Sequence, residues 1–166
     1  KKIRDVYDII SNTVSHIYFP LRVRSPLVKQ SKAPLPVGVR RTLYQRTRPI
    51  LDHVLYVSEK KLPAGIPAHT AHYFMELLNC VLEFEPAAIL HMAARVVRSS
   101  KGSGYHLDSM AIKDVVKLVE TVLTDHLDIL RQSQPLSDLL DMLDIFSEAG
   151  WPDAQKLVWR LDEVFR

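Results

Sequence analysis

Two histidines three positions apart are the first candidates for chemistry in this chain. His69 and His72 fall near the start of a predicted helix, where this spacing places both imidazoles on one side. Such a pair can supply two ligands to a zinc ion, but protein zinc sites use three or four ligands. No spacing indicates a further ligand among Cys80, His91 and His106. We therefore interpret both histidines as surface or capping residues and predict no metal site.

The stretch RSSKGSGYH at residues 98–106 has the composition of a phosphate-binding loop. The nucleotide-binding loop requires the order G-x-x-x-x-G-K-[ST] directly after a strand. Here the stretch follows a predicted helix, and Lys101 precedes both glycines. We interpret it as a loop between two helices and predict no cofactor.

An acidic ridge recurs at helical spacing late in the chain, opposite a stripe of leucines. Carboxylates act as acid and base when burial or mutual proximity shifts their pKa values, and a solvent-facing ridge provides neither. Asp125 lies beside His126, but no G-x-S-x-G turn supplies a nucleophile. We predict no catalytic residue and interpret the ridge as a solvated face, with a dock for cationic groups as the alternative. The acidic ridge consists of Asp138, Asp141, Asp144 and Glu148.

A basic segment lies near the front of the chain at residues 20–48, and most of it falls in the proline-rich stretch FPLRVRSPLVKQSKAPLPVGVRR at residues 19–41. From Ile9 to Leu51 there are eight Lys or Arg side chains and no Asp or Glu. Cations without counter-charges repel one another unless an anionic group lies close. We therefore predict that this segment contacts an anionic partner. The predicted contact residues are Arg22, Arg24, Arg40, Arg41, Arg46 and Arg48.

Three interpretations of the basic segment remain open. The acidic ridge or a carboxylate-rich neighbouring domain would neutralise its charge. Alternatively, it would bind nucleic acid phosphate, with Tyr18, Phe19 and Tyr44 available for base stacking. As a third interpretation, it is an ordinary solvated loop. Membrane binding is disfavoured because the cations are not gathered on one helix opposite an apolar face.

Apolar residues at spacings of three and four predict about seven amphipathic helices. The first covers residues 3–19 and ends at Pro20, and helix resumes around Val39, with Pro49 as either a kink or a new start. Further helices are predicted from 67, from 86, over 109–131, from 135 and from 152. Gly150 is expected to end the sixth helix in a left-handed conformation.

The predicted helix starts suggest hairpins that recur about every 41 to 44 residues over residues 67–166. In this period the region resembles a HEAT or armadillo-type array, whose repeats run about 40 to 47 residues. The resemblance implies a short stack of helical hairpins. It rests on the period alone, so no family site is carried over to this chain. An irregular helical bundle is the alternative architecture.

Length and composition are those of one globular domain: 166 residues, 47% hydrophobic and 25% charged. We expect a single helical domain over 1–166, divided into an N-terminal helix (1–19), a basic connector (20–48) and a helical core (49–166). Because the chain begins with Lys1, we expect it to be a piece of a longer protein. One cysteine, Cys80, and the absence of a run of about 18 apolar residues favour a reducing cytoplasmic setting and no membrane span.

These features together predict a non-catalytic interaction or scaffolding module of a larger intracellular protein. Its basic segment would dock an acidic protein surface or a neighbouring domain of the same chain. A nucleic-acid-binding helical domain is the alternative, and an enzyme of unrecognised type is the third. Partner identity and oligomeric state are left open.

Overall fold

All regular elements that the structure describes are helical. The computed structural model describes residues 2–21, 35–62, 65–101 and 109–165, and within these ranges it contains seven α-helices, one 3-10 helix and no strand. The prediction of an all-α fold is therefore confirmed. The elements are α1 (Lys2–Leu21), α2 (Val37–Lys61), α3 (Ala68–Val81), α4 (Pro86–Lys101), α5 (Ser109–Asp125), the 3-10 helix (Leu127–Arg131), α6 (Ser133–Glu148) and α7 (Pro152–Phe165).

Helix α2 begins close to its predicted start. Helix was expected to resume around Val39, with Pro49 as either a kink or a new start, and α2 begins directly after Pro36 and continues through Pro49. The basic connector predicted over 20–48 is therefore helical from Val37 onward. A proline inside a helix costs about 3 kcal/mol because it removes a backbone hydrogen bond and clashes with the preceding turn. Leu51 and Leu55, both 0% exposed, pack the following turns into the core and offset this cost. Helix α1 likewise extends past its predicted end and includes Pro20.

The end of α6 agrees with its prediction, whereas the end of α5 does not. Gly150 follows α6 with a φ of 70°, the left-handed conformation that glycine adopts without steric cost. Helix α5 was expected to reach residue 131 but ends at Asp125. His126 leaves the helical region with a φ of −134°, and the chain continues as the 3-10 helix.

The helices form two layers. In one layer α1 packs against α3, α3 against α5 and α5 against α7. In the other, α2 packs against α4 and α4 against α6. Contacts α1–α2, α3–α4 and α6–α7 join the layers. Consecutive helices therefore alternate between layers, and neighbours within a layer are two helices apart in sequence.

Neighbours within the second layer run in the same direction. Between α2 and α4, Arg48 contacts Glu85 at the start of α4, and Glu59 contacts Arg95 further along. The buried core is filled by large apolar side chains, each worth about 1.5–3 kcal/mol on full burial. The largest of them include Tyr44, Phe74, Phe146, Leu51, Leu55, Met75, Leu77, Leu78, Ile89 and Leu90.

Some of the predicted features fall where the structure gives no description. Arg22 and Arg24 lie outside the described residues, as does most of the glycine-containing stretch, from residue 102 onward. Across the described ranges, no helix combines the length and apolarity that a membrane crossing needs.

Candidate functional site

Arginines of α2 bind the turn that joins α3 to α4. Arg40 donates from Nη1 to the carbonyl oxygen of Cys80 at 3.1 Å and from Nη2 to Glu83 Oε1 at 3.1 Å. Its side chain is buried, with the whole residue 9% exposed. Arg40 was expected on an exposed docking surface, and this expectation is wrong because the residue faces α3 and pairs within the chain.

The other residues of the turn are held by the same helix. The guanidinium groups of Arg40 and Arg41 lie 5.7 and 5.4 Å from the ring centroid of Phe84, within cation–π range. Glu85 accepts a hydrogen bond from the Tyr44 hydroxyl at 3.1 Å and another from Arg48. Burial, with the Glu85 carboxylate as the next cause, raises the pKa of Tyr44 well above its usual range. Carboxylates next to α4 thus neutralise part of the basic segment.

Among the described arginines of the predicted anionic contact, Arg41 and Arg46 are exposed. Arg48 is 40% exposed but is paired with Glu85 and lies 4.0 Å from Asp52. The predicted docking surface is therefore smaller than the sequence indicated. Its contact with an external anion stays a prediction.

The acidic ridge does not face solvent throughout. Asp138 is 0% exposed, with Oδ2 2.8 Å from His91 Nδ1 and Oδ1 accepting from Arg98. Arg98 also lies 3.2 Å from Asp141. Asp138 was expected on a solvated face, and this is wrong because α4 covers that side of α6 with its own cations. Asp144 and Glu148 are exposed, as expected.

Side chains of α4 form ion pairs with both of its neighbours in the second layer, α2 and α6. On its other side, Arg95 donates to both carboxylate oxygens of Glu59 on α2, at 2.8 and 3.0 Å, and lies 3.6 Å from Asp52. The Arg95 hydrogen bond lowers the pKa of Glu59 below its usual value. The cations of α4 thus hold the second layer together.

A groove lies between α3 and α5. It has a volume of about 480 Å³, and Tyr18 of α1 and Arg40 of α2 complete its wall. Four carboxylates and two cationic side chains line it, a formal excess of two negative charges. The carboxylates are Glu76, Glu83, Asp114 and Asp125, and the cations are Arg40 and Lys117.

Hydrogen bonds fix the position of Asp114 between the two helices. His72 Nδ1 lies 2.8 Å from Asp114 Oδ2, and His72 Nε2 lies 3.8 Å from Glu76. Asn79 donates from Nδ2 to the backbone carbonyls of Asp114 at 2.9 Å and Met75 at 3.1 Å. These contacts join α3 to α5 and leave the Asn79 Oδ1 without a donor among the described residues.

Burial raises the pKa of Asp114 above its ordinary value of 3.8, although the His72 hydrogen bond acts in the opposite direction. A raised pKa means that the folded protein binds this proton more tightly than the unfolded chain does. Ionising Asp114 therefore reduces stability as the pH rises through the interval between the ordinary and the raised pKa. Above that interval the full cost is present.

We expect Asp114→Asn to be at least as stable as the parent protein at pH 7, because the amide removes this cost and can still accept from His72. The difference in unfolding free energy should shrink as the pH falls through the raised pKa, and it should vanish well below the ordinary pKa of 3.8, where both side chains are neutral. Urea unfolding at a series of pH values measures it. A variant less stable than the parent at pH 7, by about 1 kcal/mol or more, would contradict the assignment.

The two candidate zinc ligands serve different partners. His69 Nε2 lies 3.3 Å from the Ser11 hydroxyl and 3.2 Å from that of Thr70, whereas His72 contacts Asp114. The part of the chain that the structure describes contains no group of three or more His, Cys, Asp or Glu placed to hold a metal ion.

No family model matches the chain, and neither a curated protein nor a solved structure matches it significantly.

The groove was missed by sequence reasoning, which treated α3 and α5 only as apolar stripes. A signal was present, because polar residues recur at spacings of three and four on both helices. Such a polar stripe on each of two neighbouring helices would have indicated a shared polar surface. The members are Glu76, Asn79 and Glu83 on one side and Asp114, Lys117, Thr121 and Asp125 on the other.

Proposed function

We propose that this chain is a non-catalytic interaction module that binds a protein partner in the groove between α3 and α5. The observation that carries the proposal is the groove itself, a cavity of about 480 Å³ with an excess of carboxylates. Polar binding surfaces of this kind suit protein segments, which bring both charge and backbone hydrogen-bonding groups.

The two-layer arrangement supports the same proposal. Parallel neighbours within a layer present successive helices side by side, as in helical repeat proteins that bind partners along an extended surface. We propose a short HEAT- or armadillo-like stack on this basis and on the predicted period. A scaffolding role is part of the proposal. A cytoplasmic location is also part of it, and this location rests on the presence of a single cysteine.

The partner differs from the one that the sequence indicated. Arg40 and Arg48 are engaged with Glu83 and Glu85, so fewer cations are free to dock an acidic surface. The groove instead favours a partner with cationic groups. Nucleic acid binding through the exposed Arg41 and Arg46 is the competing outcome of the test.

Affinity purification from the native cell, with and without nuclease, tests the proposal. The groove variant Glu76→Gln/Asp125→Asn removes two carboxylates from the lining. We expect the parent protein to retain a protein partner after nuclease treatment, and the groove variant to lose it.

The matched control is Asp5→Asn/Asp8→Asn, which removes two exposed carboxylates from α1, outside the groove. This control should retain the partner. If both variants lost the partner equally, the effect would be one of net charge and not of the groove. If nuclease treatment abolished the capture of the partner, the nucleic-acid alternative would be favoured.

A further inference from the structure

We infer that the groove recognises the cationic side chain of a lysine or arginine carried on an extended peptide segment. This inference rests on the proposed function and specifies the partner's chemistry. Three features of the groove carry it: its length, its charge and an unused hydrogen-bond acceptor.

The groove is long enough for a short extended segment. On α5 its lining runs from Asp114 to Asp125, eleven residues apart. At a rise of 1.5 Å per residue this corresponds to about 16 Å of helix. An extended chain advances about 3.3 Å per residue, so about five residues fit alongside.

Charge favours a cation at this position. Glu83 is already paired with Arg40, and Asp114 contacts His72. Asp125 is exposed and forms no ion pair with the described part of the chain. A lysine or arginine of a bound segment would supply the missing positive charge, whereas an anionic segment would meet an excess of carboxylates.

One polar group beside these carboxylates matches the backbone of a peptide. The Asn79 amide is oriented by its two donated hydrogen bonds, which leaves Oδ1 to accept from a peptide N–H. Asn79 lines the groove on the α3 side, so a segment lying along α5 would bring its backbone next to this acceptor.

Nuclear magnetic resonance titration with two capped pentapeptides tests the inference. The probes are acetyl-Ala-Ala-Lys-Ala-Ala-amide and the same peptide with norleucine in place of lysine. We expect the lysine peptide to shift the resonances of the Asn79 side-chain amide and of the Thr121 backbone amide. The affinity of the norleucine peptide should be lower by a factor of at least about ten, because this peptide lacks the positive charge.

Two variants make the result specific. Glu76→Gln/Asp125→Asn should lower the affinity for the lysine peptide about tenfold and leave the affinity for the norleucine peptide unchanged. Lys117→Glu should raise the affinity for the lysine peptide severalfold, because it removes the exposed cation of the lining. Their spectra outside the groove should match the parent, which checks folding.

Equal binding of the two peptides, or no shift in the groove with the lysine peptide, would overturn the inference. The proposed function has a separate outcome, because a partner lost only from the groove variant in the native cell would uphold it even then. The failure of the inference and the failure of the proposed function are therefore distinguishable.

Discussion

Asp138→Ala is expected to lower the free energy of unfolding by about 3 kcal/mol, because it removes a buried carboxylate together with its hydrogen bonds to two side chains of α4. Asp138 is 0% exposed and contacts both His91 and Arg98. Without the carboxylate, the Arg98 side chain keeps only its contact with Asp141 across the helices. Chemical denaturation at neutral pH measures the loss.

The matched control is Asp144→Ala on the same helix. Asp144 is exposed, so its replacement should change stability by no more than about 0.5 kcal/mol. Equal effects of the two substitutions would contradict the burial of Asp138 between α4 and α6.

Arg40→Ala has the second largest expected effect, a loss of about 2 kcal/mol. The substitution removes the hydrogen bond from Arg40 to the carbonyl of Cys80 and the ion pair to Glu83. A hydrogen bond from a charged donor accounts for about 1.5–3 kcal/mol, whereas the half-exposed Glu83 can regain water. Denaturant unfolding monitored by circular dichroism provides the measurement.

Arg46→Ala serves as the control for this substitution, because it removes the same charge from an exposed position of the same helix. We expect a change within about 0.5 kcal/mol. If both arginines behaved alike, the anchoring of the α3–α4 turn by α2 would be wrong.

The helical architecture was predictable because local features determine it. Leu139, Leu143 and Phe146 recur at helical spacing in α6, and Gly150 supplies the left-handed residue at its end. Whether one helix continues through Pro49 was left open by the sequence, and the outcome has a tertiary cause. Pro49 locally favours a break, but burial of Leu51 and Leu55 outweighs it.

The roles of the charged residues were not predictable to the same degree, because their partners are distant in sequence. Arg40 and Glu83 are 43 residues apart, and His91 and Asp138 are 47 apart. Periodicity assigns such residues to a polar face without showing what covers that face. Asp138 was placed in solvent for this reason.

Two local patterns in the sequence indicate where some of these charged residues find their partners. Helix α4 carries His91, Arg95 and Arg98 at spacings of four and three within an otherwise apolar sequence, which indicates carboxylates on both neighbouring helices. The second signal is Glu83-Phe84-Glu85 directly before Pro86, a short acidic and aromatic turn that suits nearby arginines.

Site-specific photocrosslinking distinguishes the proposed binding of a partner in the α3–α5 groove from binding on the basic face of α2. Thr121 lines the groove, and Thr42 lies on α2 beside Arg46 in a separate, shallow depression. Both hydroxyls donate to the carbonyl four residues earlier, so the two positions are well matched.

A benzophenone side chain at each position, introduced in the native cell, reports what touches it. If partners bind in the groove, we expect a protein adduct at position 121 that survives nuclease treatment and no adduct at position 42. Adducts confined to position 42, or adducts that nuclease removes, would contradict it.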